Sequence, residues 1–100
     1  MFKKIIFSSL IFSGSLYAHT AVMACFDNGD GTITCEGGFS NGASGSGIAM
    51  YIKQNQRKVI EGIMNEDSEF TFKKPNSEYE VYFDAGKGHV VAIKGEDIVE

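Results

Sequence analysis

The sequence contains no tryptophan, a single proline, two cysteines and two histidines in 100 residues. Nine residues separate Cys25 from Cys35. This spacing matches neither the ligand pairs of structural zinc sites nor the Cys-x-x-Cys motif of thiol redox enzymes. The serines of segment 40–46 have no recognisable His and Asp partners, so no nucleophilic triad is predicted. The sequence therefore favours a protein that is not an enzyme.

Positive charge is also scarce. Nine Lys and Arg residues stand against 13 Asp and Glu residues, which gives a formal net charge of −4. An acidic surface disfavours nucleic acid and anionic lipid as partners. It is compatible with the attraction of cations, although solubility alone accounts for it equally well.

Long apolar runs are absent beyond the beginning of the chain. Residues 1–4 include Lys3 and Lys4, residues 5–12 are mostly apolar, and residues 13–18 begin with three small residues and end in Ala18. This order is typical of a secretory signal peptide, and the apolar run is too short to span a membrane. We therefore predict a signal-peptide helix over 1–18 and one domain over 19–100, periplasmic and not membrane-spanning after cleavage. Without Lys3 and Lys4, seven basic and 13 acidic side chains give that domain a formal charge of −6.

The two cysteines fit an exported protein. In an oxidising compartment, Cys25 and Cys35 are expected to form a disulfide across a hairpin. The same region allows another interpretation, because residues 22–25 resemble a lipobox, in which Cys25 is lipid-modified and becomes the new N-terminus. That lipoprotein would lack His19 and would leave Cys35 single.

Short alternating segments separated by turn residues dominate the rest of the chain. They predict seven strands over 20–26, 32–36, 48–53, 58–64, 69–73, 78–84 and 89–94. Such spacing is typical of a small antiparallel β-sandwich, so the predicted class is all-β. The glycine- and serine-rich segment 37–47 is predicted to be a flexible connection or lid. The tail 95–100 has weak strand character.

Several motifs have a simple structural interpretation. Residues 27–33 resemble half of an EF-hand loop but lack its leading Asp and its bidentate Glu, so a hairpin turn is predicted. The acidic residues Glu66, Asp67 and Glu69 are expected to form a solvated turn. The predicted core contains the alternating apolar residues of the last strands, namely Phe70, Phe72, Tyr79, Val81 and Phe83.

Cleavage after Ala18 would begin the mature chain with His19. An N-terminal histidine can chelate one ion through its α-amine and ring Nδ1, and both groups can be neutral near pH 7. With the ring of His89, three nitrogen donors would favour Cu(II) or Ni(II). Asp84 is a candidate fourth ligand or a partner that orients His89, and a Met thioether could favour Cu(I). The alternative is that His19 and His89 are ordinary surface residues.

The segment from Ile48 to Ile98 also has a strand-and-turn pattern that resembles a known family of domains. Its sequence of strands and turns, with Gly86-Lys87-Gly88-His89 near the end, looks like a prealbumin-like or carboxypeptidase-regulatory-like β-sandwich. More narrowly, it resembles small periplasmic proteins that accompany bacterial nickel or cobalt uptake transporters. The resemblance implies a metal-binding accessory function beside a membrane transporter component. The main alternative is a structural or protein-interaction module of the cell envelope that docks a partner at a sheet edge. A copper-dependent oxidative enzyme is a weaker alternative.

Overall fold

The computed structural model describes residues 20–100. The predicted signal peptide and His19 lie outside this part of the chain. Residues 20–100 form seven strands, as the alternation predicts. They are β1 (Ala21–Asp27), β2 (Thr32–Phe39), β3 (Ala49–Gln54), β4 (Arg57–Ile63), β5 (Glu69–Lys73), β6 (Glu80–Asp84) and β7 (Val90–Lys94). A short 3-10 helix, Gly95–Asp97, stands where weak strand character was predicted.

The strands form two antiparallel sheets, with the orders β1-β2-β5 and β4-β3-β6-β7. The predicted all-β sandwich is therefore confirmed. In immunoglobulin constant domains the fourth strand belongs to the sheet of the first, second and fifth. Here β4 instead pairs with β3. Within residues 20–100, no helix has the length and apolar character needed to cross a membrane.

The core lies between the two sheets and follows the period-two alternation of the strands. Phe72, Tyr79, Val81 and Phe83 are buried as predicted, and Phe70 packs against this core. The fully buried side chains are Ile33, Cys35, Met50, Ile52, Met64, Val81 and Phe83. Since Met50 and Met64 are 1% exposed, their thioethers serve as core packing in this structure.

The predicted disulfide is present. Cys25 and Cys35 are directly opposite each other in the β1–β2 register, and their sulfurs are bonded. The bridge attaches the edge strand β1 to the centre of its sheet. For so short a loop, the chain-entropy model gives a stabilisation of about 2–3 kcal/mol. A Cys25 sulfur bonded to Cys35 is not available to a lipid, so the lipoprotein alternative would require this bridge to be absent.

The glycine-rich segment 37–47, predicted to be a flexible connection or lid, is only partly a connection, because residues 40–47 join β2 to β3 while residues 37–39 belong to a strand. Its first three residues extend β2 to Phe39. Gly45 is buried, and a Cβ there would overlap the carbonyl of Gly37. Ser68 fixes the segment further, because its Oγ lies 2.8 Å from Ser44 Oγ and accepts the Gly45 N–H at 3.0 Å. Residues 40–47 are therefore anchored to the sandwich at Ser44 and Gly45, while their other side chains are exposed.

Candidate metal site at the N-terminal pole

β1 and β7 run in the same direction at neighbouring edges of the two sheets. At their far ends, the N–H of Asp27 donates to the carbonyl of Val99 at 3.0 Å. At their near ends, Ala21 pairs with Phe39, and the Phe39 ring lies 5.7 Å from the ring of Phe83, which pairs with Val91. We call the end where β1 begins the N-terminal pole, and the opposite end the C-terminal pole. Thr20 and His89 both lie at the N-terminal pole.

The β6–β7 hairpin positions the predicted site residues of the described chain. The N–H of His89 donates to Gly86 O at 2.8 Å, and the N–H of Ala85 donates to His89 O at 3.0 Å. Gly86 and Gly88 have φ angles of +105° and +84°, which glycine adopts at low cost. The tight turn therefore brings Asp84 and His89 to one end of the sheet.

The pleat separates the side chains of these two residues. Asp84 pairs with Val90 and shares the outer face of the four-stranded sheet with Tyr51. His89 lies one residue before Val90, so its side chain is directed to the opposite side, towards the space between the sheets. This agrees with a half-buried His89 ring whose Nδ1 is enclosed by protein. The side chain of Asp84 therefore lies on the opposite side of the hairpin from the His89 ring. From there it can attract a cation bound at His89 through its charge.

Asp84 is held by two hydrogen bonds. The N–H of Gly86 donates to Oδ1 at 2.9 Å, and the hydroxyl of Tyr51 donates to Oδ2 at 2.9 Å. These bonds, followed by the charge of Lys58, hold the pKa of Asp84 below its usual value, and partial burial offsets only part of the shift. Asp84 is therefore a persistent negative charge. Sequence reasoning missed Tyr51, because the pairing of β3 with β6 is not visible in local alternation.

Carboxylates outnumber cations at this pole of the described chain. The turn between β4 and β5, the start of β5 and the adjoining part of β2 contribute acidic side chains, and Lys87 is the cation of the β6–β7 turn. The carboxylates at or next to the pole are those of Glu36, Glu66, Asp67, Glu69 and Asp84. Their combined field favours the approach of cations.

The described residues alone do not complete a metal site. Within residues 20–100, no three His, Cys, Asp or Glu side chains are grouped to hold a metal ion. His19 lies outside this part of the chain, so the three-nitrogen set of His19 and His89 stays a prediction. Comparison of the chain with protein-family models, with curated proteins and with solved structures finds no match.

Proposed function

We propose that this protein is a periplasmic, non-enzymatic carrier of a transition metal ion, nickel, cobalt or copper, that works beside a membrane transporter component. The α-amine and ring of His19 and the ring of His89 would hold the ion, and Asp84 would add negative charge on the other face of the same hairpin. Nitrogen donors of this kind suit Ni, Co and Cu better than Ca or Mg.

One observation carries the proposal. β1 begins at the pole where β7 begins, so the residue before Thr20 is attached at the same end of the sandwich as His89. Opposite directions for these two strands would have separated Thr20 from His89 by about the length of a strand. The excess of carboxylates at this pole supports the proposal, since it favours a cation over an anion.

The alternative of partner docking at a sheet edge has less support. β4 is an edge strand of the larger sheet, but it carries Arg57 and Lys58, and its register shifts between Ile52 and Lys53. Charged side chains and bulges are common devices against edge-to-edge pairing. The edge of β4 is therefore poorly suited to the addition of another strand.

The test is metal titration of the exported protein by calorimetry with Cu(II), Ni(II) and Co(II), after intact mass has established an N-terminus at His19. We expect both His89→Ala and an extra Ala before His19 to weaken binding at least tenfold. Val22→Ala is the matched control, because it changes an exposed apolar position of β1 without removing a donor. Equal affinity in all variants would overturn the proposal. A loss with the extra Ala only would restrict the site to the terminus and remove His89 from it.

A further inference from the structure

The outer face of the four-stranded sheet is an ordered surface of three rows that cross the strands β4, β3, β6 and β7. The first row, nearest the N-terminal pole, contains Ile63, Ala49, Asp84 and Val90. The second row contains Glu61, Tyr51, Tyr82 and Ala92. The third row contains Lys58, Lys53, Glu80 and Lys94. We call this surface the tyrosine face.

The two tyrosines at its centre are fixed before any partner binds. Their ring centroids are 5.1 Å apart, and the ring planes differ by 18°. The Tyr51 hydroxyl donates to Asp84, and the Tyr82 hydroxyl donates to Glu80 Oε1 at 3.0 Å. Side chains that are already ordered lose little entropy on association, and tyrosine is enriched in protein interfaces.

Lysine ammonium groups lie close to the same two rings. Lys58 Nζ lies 4.3 Å from the Tyr51 centroid, and Lys53 Nζ lies 4.8 Å from the Tyr82 centroid. Lys53 and Glu80 are opposite each other in the β3–β6 register. The centre of the third row therefore presents one positive and one negative side chain, one on each of the two middle strands.

The first row is apolar at both ends. Ile63 is 63% exposed on β4, and Val90 is 47% exposed on β7. Large apolar side chains at this exposure leave water only if another surface covers them.

This pattern is complementary to itself under one twofold rotation. An axis parallel to the strands, between β3 and β6, sets β4 of one copy against β7 of the other and β3 against β6. Ile63 then meets Val90 of the second copy, Tyr51 meets Tyr82, and Lys53 meets Glu80. The remaining contacts of the first two rows set the carboxylates of Asp84 and Glu61 against the small side chains of Ala49 and Ala92. Each contact occurs twice, as an isologous interface requires. Lys58 and Lys94 meet at the rim, where solvent screens their repulsion.

The other face-to-face rotation is disfavoured. An axis that crosses the strands would set the first row against the third, so that Asp84 would meet Glu80 and the apolar Ile63 would meet Lys58. We propose that the tyrosine face is the interface of a symmetric dimer of this chain, with its axis parallel to β3 and β6. This dimer needs no metal and does not depend on the proposed function.

The central charge pair gives a sharp test of the arrangement. Lys53→Glu sets two glutamates against each other across the axis, and Glu80→Lys sets two lysines against each other. Like-charge contacts at an interface oppose association, so each single variant should dimerise at least tenfold more weakly than the parent protein. Sedimentation equilibrium of the purified protein over a range of concentrations measures this effect, and circular dichroism verifies that each variant is folded.

Mixing the two single variants separates contacts between copies from contacts within one copy. Inside each variant the β3–β6 pair stays a like-charge pair, but across the axis the introduced glutamate of one variant meets the introduced lysine of the other. We expect the mixture to form heterodimers with near-parental affinity. Lys73→Glu, an equal change on the exposed part of β5 in the other sheet, is the matched control and should leave the dimer unchanged. A monomer at all concentrations, a dimer insensitive to the single variants, or a mixture that stays monomeric would overturn the proposal.

Discussion

The two poles of the sandwich are closed in different ways. At the N-terminal pole, segment 40–47 is packed through glycine backbone and neutral hydrogen bonds to Ser68. At the C-terminal pole, the turns are fastened by charged side chains, because Lys74 Nζ donates to Asp27 Oδ2 at 2.7 Å and Asp30 accepts bonds from Thr32. Segment 40–47 depends on the absence of side-chain volume at Gly45, whereas the turns of the C-terminal pole depend on ionised carboxylates. Mutations in segment 40–47 should therefore change stability through steric overlap, and mutations in the C-terminal turns should change it through the charge of the carboxylates.

The largest effect is expected from Gly45→Ala at the N-terminal pole. A Cβ at this buried position would overlap the Gly37 carbonyl and lie 3.1 Å from the ring of Phe83. Neither neighbour is the free end of a long side chain, so relief requires movement of backbone or core. We expect a loss of about 3 kcal/mol in the free energy of unfolding, at the upper end of typical overpacking costs. Chemical denaturation measures it.

Gly42→Ala is the control for this prediction. Gly42 lies in the same segment with nothing within 4 Å of a Cβ, but its φ of +89° strains any other residue. Its expected cost is about 1 kcal/mol, from backbone conformation alone. Equal losses for both variants would mean that conformation, and not close packing, closes this pole.

An effect of opposite sign is expected from Tyr79→Phe at the C-terminal pole. Tyr79 is 8% exposed, and its hydroxyl has no hydrogen-bond partner among residues 20–100. Burial raises its pKa. Removing a buried hydroxyl without a partner should stabilise the protein by about 1 kcal/mol, while the ring keeps its edge contact with Phe72. Thermal unfolding measures the gain.

Tyr51→Phe is the matched control, because the Tyr51 hydroxyl donates to Asp84. That variant should lose stability rather than gain it. A loss for Tyr79→Phe as well would show that a water molecule satisfies the Tyr79 hydroxyl.

The strands could be predicted from sequence because alternation is a local signal. In β6, Val81 and Phe83 face the core while Glu80, Tyr82 and Asp84 face outward, as the sequence indicates. The packing of Gly45 could not be predicted in this way, because it depends on contacts with Gly37 and Phe83 that only the folded chain creates. Glycine in a turn and glycine in a close contact look the same in a sequence.

The candidate metal site likewise contains one feature that the sequence predicts and one that it does not. The hairpin that joins Asp84 to His89 was predicted from the glycines of its turn, and the structure contains it. The role of Tyr51 depends on the pairing of β3 with β6, between strands that do not follow each other in the chain. Sequence patterns predict which face of a strand is buried, but they do not state which strand lies beside it.

The smallest effect, and the one that best separates the poles, is the acid dependence of Asp27→Asn. Hydrogen bonds from Lys74 and then from Gly29 hold the pKa of Asp27 below its usual value in the folded protein. A carboxyl group whose pKa is lower in the folded than in the unfolded state stabilises the fold above its unfolded pKa of about 3.9. This stabilisation is lost as pH falls through the lower, folded value. The variant should therefore be less stable than the parent at pH 6, and the difference should shrink towards zero in stronger acid.

Urea denaturation between pH 6 and pH 2 measures this difference, and Lys74→Gln is its control. Lys74→Gln removes the ion pair but keeps the 2.9 Å bond from the Gly29 N–H to Asp27 Oδ1, so it should abolish only part of the acid dependence. Gly45→Ala should lower stability by a similar amount at every pH, because steric overlap involves no proton. If the Gly45→Ala loss also faded in acid, the packing of segment 40–47 would have to involve charge, and the distinction between this segment and the turns of the C-terminal pole would fail.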